Sequence, residues 1–517
     1  MMKIKKIGIL IILFACEFCF AQEKNVDAIQ AQTNFDAGNY FKALASYRKA
    51  MLTNKKSEKL ALQSAICITK LNYPADSLYS LNSILAFSSI PDAKYFMGLI
   101  KHKQKKFDDA IEILEGYTFE SKKESAFLEE ASYLIRVCKN AQKFRITPHR
   151  SIINNMGIEI NSKDADYMPV VSPDESALYL TSRRAGSSNN KKDVYGNFNE
   201  DVYVSRKLDG KWQKAELLGS PINTDANDAC MAISPDGERL IIYRDAGELV
   251  TGDLYVTKTI KGNKWEALQK MSKEINSQFI ETGACFSNDT SEIYFSSNRP
   301  GGYGSKDLYR IKKLPNGKWS IPLNLGSEIN SQYDDEAPYL HPDGVTLYFS
   351  SKGHNTAGGY DIFKATLNPE DNNFSNVQNL GYPINDVGDD MFFVLSVDGQ
   401  RAYYSSVKED NFGGTDIYTI DTRFGDNDLK VKTGIAYLDN TPDKLKITLY
   451  DLETETLNGS YTSNPNTGRF ILVLNPLKPY KAIVERNGYQ SKEFYLEPIA
   501  KEPIEKNLEF KLEKLGK

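Results

Sequence analysis

The sequence predicts a multidomain α plus β chain: an α-helical array, then a five-bladed β-propeller, then a small C-terminal β-sandwich. Two observations set this order. Apolar residues recur with a period near 3.6 over residues 26–144 and in alternation beyond them. From about residue 150 to 425 a single unit recurs five times, and the three tryptophans Trp212, Trp265 and Trp319 share one position in it.

Each unit is anchored by an Ile-Asn pair followed thirteen residues after the Asn by an aspartate: Asn161 and Asp174, Asn223 and Asp236, Asn276 and Asp289, Asn330 and Asp343, Asn385 and Asp398. Eight residues before that aspartate stands an acid, in turn Asp166, Asp228, Glu281, Asp335 and Asp390. Bulky strand formers follow the turn, as in Tyr294-Phe295 and Tyr348-Phe349. A Gly-rich loop and an Asp-hydrophobic-aromatic triplet come next, then a Trp or Phe374 opening a last strand. Four short strands per unit describe a propeller blade. The fifth unit lacks its last strand, but Asn155–Ser162 copies Asn324–Ser331 and would complete it, leaving no open edge. The expected domains are residues 1–21, 22–148, 149–425 and 428–513.

At the N-terminus Lys3, Lys5 and Lys6 precede an apolar run from Ile7 to Ala15. That run is too short to span a bilayer and fits a signal peptide over 1–21. Two cleavage readings stand: after Ala21, or at Leu13-Phe14-Ala15-Cys16, where Cys16 would carry a lipid. Either exports the protein to the periplasm, in association with the outer membrane. After cleavage before Gln22 four cysteines remain, Cys67, Cys138, Cys230 and Cys285, without CxxC spacing. They read as small buried hydrophobes or a disulfide, not as a metal site.

In the helical region Gly38, Tyr40, Ala43, Tyr47 and Ala50 match the core of a tetratricopeptide (TPR) repeat. Ser77 lies 34 residues beyond Ala43, and Ala110 33 beyond Ser77. About three repeats are expected, capped by a helix over Glu124–Phe144, with a concave groove for a peptide or helix. Beyond a polar hinge at Asp426–Asp428, residues 429–513 alternate again, for example in Lys446–Asp451 and Arg469–Leu474. With Gly488-Tyr489 and Glu493-Phe494-Tyr495, this region resembles a carboxypeptidase regulatory-like β-sandwich.

The Ser-Pro-Asp-Gly turns, Tyr-Phe-Ser-Ser strands and Gly301–Tyr309 resemble the WD40-like (PD40) repeats of TolB-type propellers. The order of parts is similar to PorE-type accessory proteins of the Bacteroidetes type IX secretion system, without the OmpA-like domain that would grip peptidoglycan. The resemblance implies a non-catalytic exported scaffold of an outer-membrane-associated complex, serving type IX secretion or gliding. Its protein partners would be held by the TPR groove and the propeller face. The other readings are a periplasmic glycan- or peptide-binding protein and a propeller glycoside hydrolase. A net charge of −4 excludes the basic stripe of a nucleic-acid binder.

Four histidines and no nucleophile elbow leave no parts for a serine triad. A glycosidase would draw two carboxylates from Asp166, Asp228, Glu281, Asp335 and Asp390. Their repetition in every unit points instead to structure, such as holding a turn or pairing with Arg184 or Arg299, or to a ring of ligand-binding acids. The sequence therefore predicts no enzyme, no cofactor and no metal. The Gly-Gly loops lack the Lys-Ser/Thr of a phosphate loop and read as turns. One loop breaks the repeat: Ser182 and Asp201 are nineteen residues apart, where the last three units have ten. Its polar Ser187, Asn189 and Lys191 are candidate binding residues.

Overall fold

The computed structural model describes residues 26–513, apart from 72–74, 121–124, 150, 194–195, 246–251, 261–263, 369–370, 398, 422–429, 456, 465–466, 476–477 and 499–507. Cys16, the signal segment, Asp398 and the Asp426–Asp428 hinge lie outside the described residues. The chain divides into two compact units. One runs to Gln142 and takes in Lys192–Asn197; the other comprises Lys143–Lys191 and Phe198–Lys517.

Helices dominate the first unit: α1 (26–36), α2 (Tyr40–Thr53), α3 (Glu58–Lys70), α4 (Ala75–Tyr79), α5 (Asn82–Leu85), α6 (Ala93–Lys103), α7 (Phe107–Glu120) and α8 (Leu128–Ile146). The Asn39 side chain caps α2 by accepting the Lys42 N–H, and Ser57 caps α3 through the Leu60 N–H. Helices α6 and α7 cross closely at Gly98, where a Cβ would lie 2.5 Å from the Leu114 side chain. The expected regular TPR array is corrected here. In the first half of its middle repeat, where one long helix is expected, the described residues form α4 and α5, of five and four residues. Serines around them bond locally instead: Ser80 Oγ donates to the Ser77 carbonyl, and Ser88 Oγ accepts the Ile90 N–H. Such bonds compete with helix propagation. The fold class is corrected with it, from an α array joined to β domains to a predominantly β chain with a few short helices.

The second unit holds five sheets arranged as a ring. In chain order its strands are β1 (Ile152–Asn155), β2 (Asp166–Val171), β3 (Ala177–Ser182), β4 (Asp201–Leu208), β5 (Lys211–Trp212) and β6 (Glu216–Leu217). The second blade has β7 (Asn227–Ile233), β8 (Arg239–Asp245), β9 (Asp253–Ile260), β10 (Lys264–Trp265) and β11 (Gln269–Lys270). The third has β12 (Glu281–Phe286), β13 (Glu292–Ser297), β14 (Asp307–Lys312) and β15 (Leu323–Asn324). The fourth has β16 (Asp335–Leu340), β17 (Thr346–Ser351), β18 (Asp361–Asn368) and β19 (Asn373–Asn379). The fifth has β20 (Met391–Leu395), β21 (Arg401–Ser406) and β22 (Asp416–Asp421), completed by β1 as its outer strand. The innermost strands β2, β7, β12, β16 and β20 adjoin one another around the ring.

The repeated residues have a physical reason. Each Ile-Asn isoleucine is buried, and the Asn amide pairs with both backbone groups of a third-strand residue in the preceding blade. Asn330 accepts the Leu308 N–H at 2.7 Å and donates to its carbonyl at 3.0 Å, and Asn385 does the same with Ile362 at 2.8 Å each. Asn161 grips Ile417 across the closure at 2.9 Å. The copy in β1 repeats the chemistry too: Asn155 donates to Asp416 at 2.7 Å, as Asn324 does to Asp307 and Asn379 to Asp361.

Two further sheets follow, one of β23 (Lys430–Leu438), β24 (Thr441–Pro442), β27 (Arg469–Leu474) and β30 (Leu508–Leu512). The other is β26 (Leu457–Thr462), β25 (Lys446–Asp451), β28 (Tyr480–Glu485) and β29 (Lys492–Leu496). Their buried faces form one core around Ile447, Leu472, Val484 and Phe510. This sandwich meets the propeller at its Ser-Pro-Asp turns. Lys444 Nζ lies 3.3 Å from Asp236, and Val397 packs on the sandwich core.

Candidate functional site

The five innermost strands enclose the channel, and each carries a bulge near its start, between Tyr167 and Val170, Cys230 and Ala232, Glu281 and Ala284, Glu336 and Tyr339, and Met391 and Val394. A bulge inserts an extra residue and re-aims side chains. In three blades the bulge holds a non-glycine residue at positive φ: Met168, Ala337 and Phe392.

Just ahead of the bulges lie the five acids singled out in the sequence. Asp166, Asp228, Glu281, Asp335 and Asp390 are all buried, and each accepts the N–H of the residue four positions earlier, for example Ser331 N to Asp335 at 2.6 Å. Arg184 binds Asp166 at 2.5 Å, Arg244 binds Asp228 at 2.5 Å, and Arg299 reaches Glu281 at 3.1 Å. The same guanidiniums also donate to the Ile160, Ile222 and Ile275 carbonyls, tying two loops of each blade together. These acids are clamps at the blade junctions, spread around the ring rather than gathered at one place.

The fourth and fifth junctions lack an arginine. His354 takes the arginine's place in the fourth and bonds the Ile329 carbonyl at 2.9 Å, while Lys408 stands 3.7 Å from Asp390. Burial, with Asp307 nearby, pushes the Asp335 carboxyl up to about 7, and one of its oxygens has no partner. Burial likewise raises Asp361 to about 7 and lifts Asp390. Burial lowers His354.

The long loop is held by its own residues and by its neighbour. Ser187 is buried and accepts the Asn190 N–H; Asn189 accepts the Lys191 N–H at 2.8 Å and donates to the Asp225 carbonyl at 2.6 Å; Lys191 is exposed. The structure does not bring these three to the acids. All four described cysteines are free and buried, with burial pushing the Cys67 and Cys138 thiols up to about 12. Among the described residues no group of three or more His, Cys, Asp or Glu could hold a metal.

Sequence reading missed a second set of residues at the same end of the channel. One column of the repeat directly follows the clamp acid (Tyr167, Ala229, Thr282, Glu336, Met391). Another directly precedes the third-strand aspartate (Glu200, Gly252, Lys306, Tyr360, Thr415). Neither column is constant, and in two places the two meet. Tyr167 donates its hydroxyl to Glu200, and Arg183 bonds Glu200 at 2.7 Å and the Tyr167 oxygen at 3.2 Å. On the third and fourth blades, Glu336 is paired with Lys306 and accepts the Tyr360 hydroxyl at 3.2 Å. Burial and the facing glutamates push both tyrosines well above the ordinary range. Lys352 lies 4.4 Å from the Tyr360 ring centre and bonds Asp334 at 3.2 Å. The signal that could have revealed these residues is departure from the repeat, not membership of it.

No protein-family profile matches the sequence, and no curated protein matches it. Solved structures do. The catalytic domain of a Coprinopsis cinerea GH62 α-L-arabinofuranosidase is 13% identical, covers 51% of this chain and 95% of its own, and has a TM-score of 0.33. An α-L-arabinofuranosidase from Lactobacillus brevis is 12% identical over 54% and 93%, at 0.34. A Penicillium chrysogenum α-L-arabinanase complexed with arabinobiose is 10% identical over 53% and 99%, also at 0.34. These findings correct the expected resemblance to TolB-type, TPR-bearing, PorE-type proteins, since the structures matched are glycoside hydrolases. The expectations of a non-catalytic scaffold or ligand-binding protein, and of no enzyme, are corrected on the same finding. The superpositions assign no individual residue.

Proposed function

We propose that the chain is a glycoside hydrolase acting at the mouth of its propeller channel, with Glu200 and Glu336 as the working carboxylates. The observation that carries this is their placement. Each breaks the internal repeat, each is bonded to a tyrosine hydroxyl and a cation, and their surroundings differ. Glycoside hydrolysis needs two carboxylates in unlike environments, one giving a proton to the leaving oxygen and one assisting attack at the anomeric carbon. Glu200 is paired with Arg183, a guanidinium with no proton to give, which suits the nucleophile or base. Glu336 sits beside Lys306, and it would serve as the acid by taking a proton from that ammonium as it passes one to the leaving oxygen, leaving Lys306 as the neutral amine. The five clamp acids are excluded from this role because each is committed to holding a loop. The basic start and apolar run at the N-terminus support export, so the substrate would be an extracytoplasmic glycan.

The test is turnover of a panel of aryl pentosides and hexosides by the intact chain and by Glu336→Gln and Glu200→Gln. Each variant should lose at least about a hundredfold in kcat with an unchanged melting temperature. Turnover of no glycoside by the intact chain, or full activity in both variants, would overturn the reading.

A further inference from the structure

Below the bulges the propeller encloses a cavity of about 90 Å³. Its upper rim is formed, one residue per blade, by Met168, Met231, Gly283, Ala337 and Phe392; Pro173, Pro235 and Pro342 line its other end, near the Ser-Pro turns. No charged side chain faces it. Three backbone donors of its wall are engaged: Met168 N–H bonds Ser405 Oγ at 3.1 Å, Gly283 N–H bonds Ser296 Oγ at 2.9 Å, and Leu340 N–H contacts Cys285 Sγ at 3.4 Å. Among the described residues, none of the buried polar side-chain atoms without a partner belongs to the wall. Water needs two to four polar partners to settle in a cavity, and a mostly apolar wall holds it poorly.

We propose that this channel is a binding site for a slender, neutral aliphatic group, such as a short alkyl or acyl chain, entering past the bulges. The inference is independent of the hydrolase reading. An apolar cavity of about 150 Å³ takes benzene and xenon, so about 90 Å³ suits a narrower chain. Two methionines in the wall adapt their shape to such a guest. Gly283 lets the neighbouring inner strand approach closely, since a Cβ there would come within 3.0 Å of the Ala337 backbone nitrogen.

The probe is 1-octanol added to the full chain labelled with 13C at the methionine methyls. The expected result is a saturable shift of the Met168 and Met231 methyl signals and a rise in melting temperature of about 1–3 °C. Ala284→Phe, which fills the bore, should abolish both. Unshifted methyl signals in the intact chain would overturn the proposal even if the filled variant failed to fold. A temperature rise of equal size in a folded Ala284→Phe variant would overturn it as well.

Discussion

The first three blade junctions and the last two solve one problem with different means. In each a carboxylate is buried to hold a connecting loop. At Asp166, Asp228 and Glu281 an arginine neutralises it and ties down the neighbouring isoleucine carbonyl. At Asp335 His354 keeps the carbonyl bond but gives the carboxylate no cation, and at Asp390 a lysine 3.7 Å away offsets only part of the burial. A loop can thus be fixed either by a compensated charge or by hydrogen bonds around a carboxyl that prefers its proton. Burial also raises Asp228 beside its arginine, but at Asp335 and Asp361, where no arginine is paired, the carboxyl reaches about 7.

The largest test of this contrast removes the cation. Arg299→Leu leaves Glu281 buried and unpaired, and should cost about 3–5 kcal/mol in denaturant unfolding. His354→Leu removes only a hydrogen bond to a carbonyl and should cost about 1 kcal/mol. Equal losses would show that the arginines act by packing alone. Neutralising the acid should have the converse pattern. Asp228→Asn strands Arg244 and should cost about 2–3 kcal/mol, whereas Asp335→Asn supplies a neutral side chain of the same shape and should cost under about 1 kcal/mol at pH 8.

The pH dependence follows with a defined sign. A carboxyl raised to about 7 in the folded protein, as at Asp335 and Asp361, binds its proton more tightly folded than unfolded. Its favourable contribution is complete below the unfolded value near 4 and is lost as pH rises through 7. The turn aspartates Asp174, Asp236, Asp289 and Asp343 are lowered despite burial, by serine, threonine, histidine and backbone hydrogen bonds, so their contribution is lost only as pH falls below about 4. The melting temperature should therefore be higher at pH 5.5 than at pH 8, by the equivalent of about 1–3 kcal/mol. Asp335→Asn should flatten the slope; an unchanged slope would remove Asp335 as its source.

The same division explains what could be read from the chain. The Asn clamp, the turn aspartate and the junction acid each serve one fixed backbone geometry, so they recur at fixed spacing and were visible in the sequence. The site residues proposed here occupy columns that vary from blade to blade. Glu336 and Lys306 are thirty positions apart and meet only through the ring, whereas Tyr167 and Glu200, thirty-three apart, meet through the sheet of one blade. The helices failed for another reason. The spacing from Ala43 to Ser77 to Ala110 suited three repeats, but serine-rich local bonding shortened the middle helices, and periodicity carries no sign of that competition.

The smallest expected effect concerns the loop that interrupts the pattern, because it lies outside both kinds of junction. Asn189 donates to the Asp225 carbonyl, which Asn199 also reaches, so Asn189→Ala should cost about 1 kcal/mol. Ser187 caps a turn within the loop, and Ser187→Ala should cost about half as much. Lys191 is exposed, and Lys191→Ala should stay within about 0.5 kcal/mol. If instead Lys191→Ala changed glycoside turnover while leaving unfolding untouched, the loop would belong with the variable columns at the mouth, and the working site would extend beyond Glu200 and Glu336.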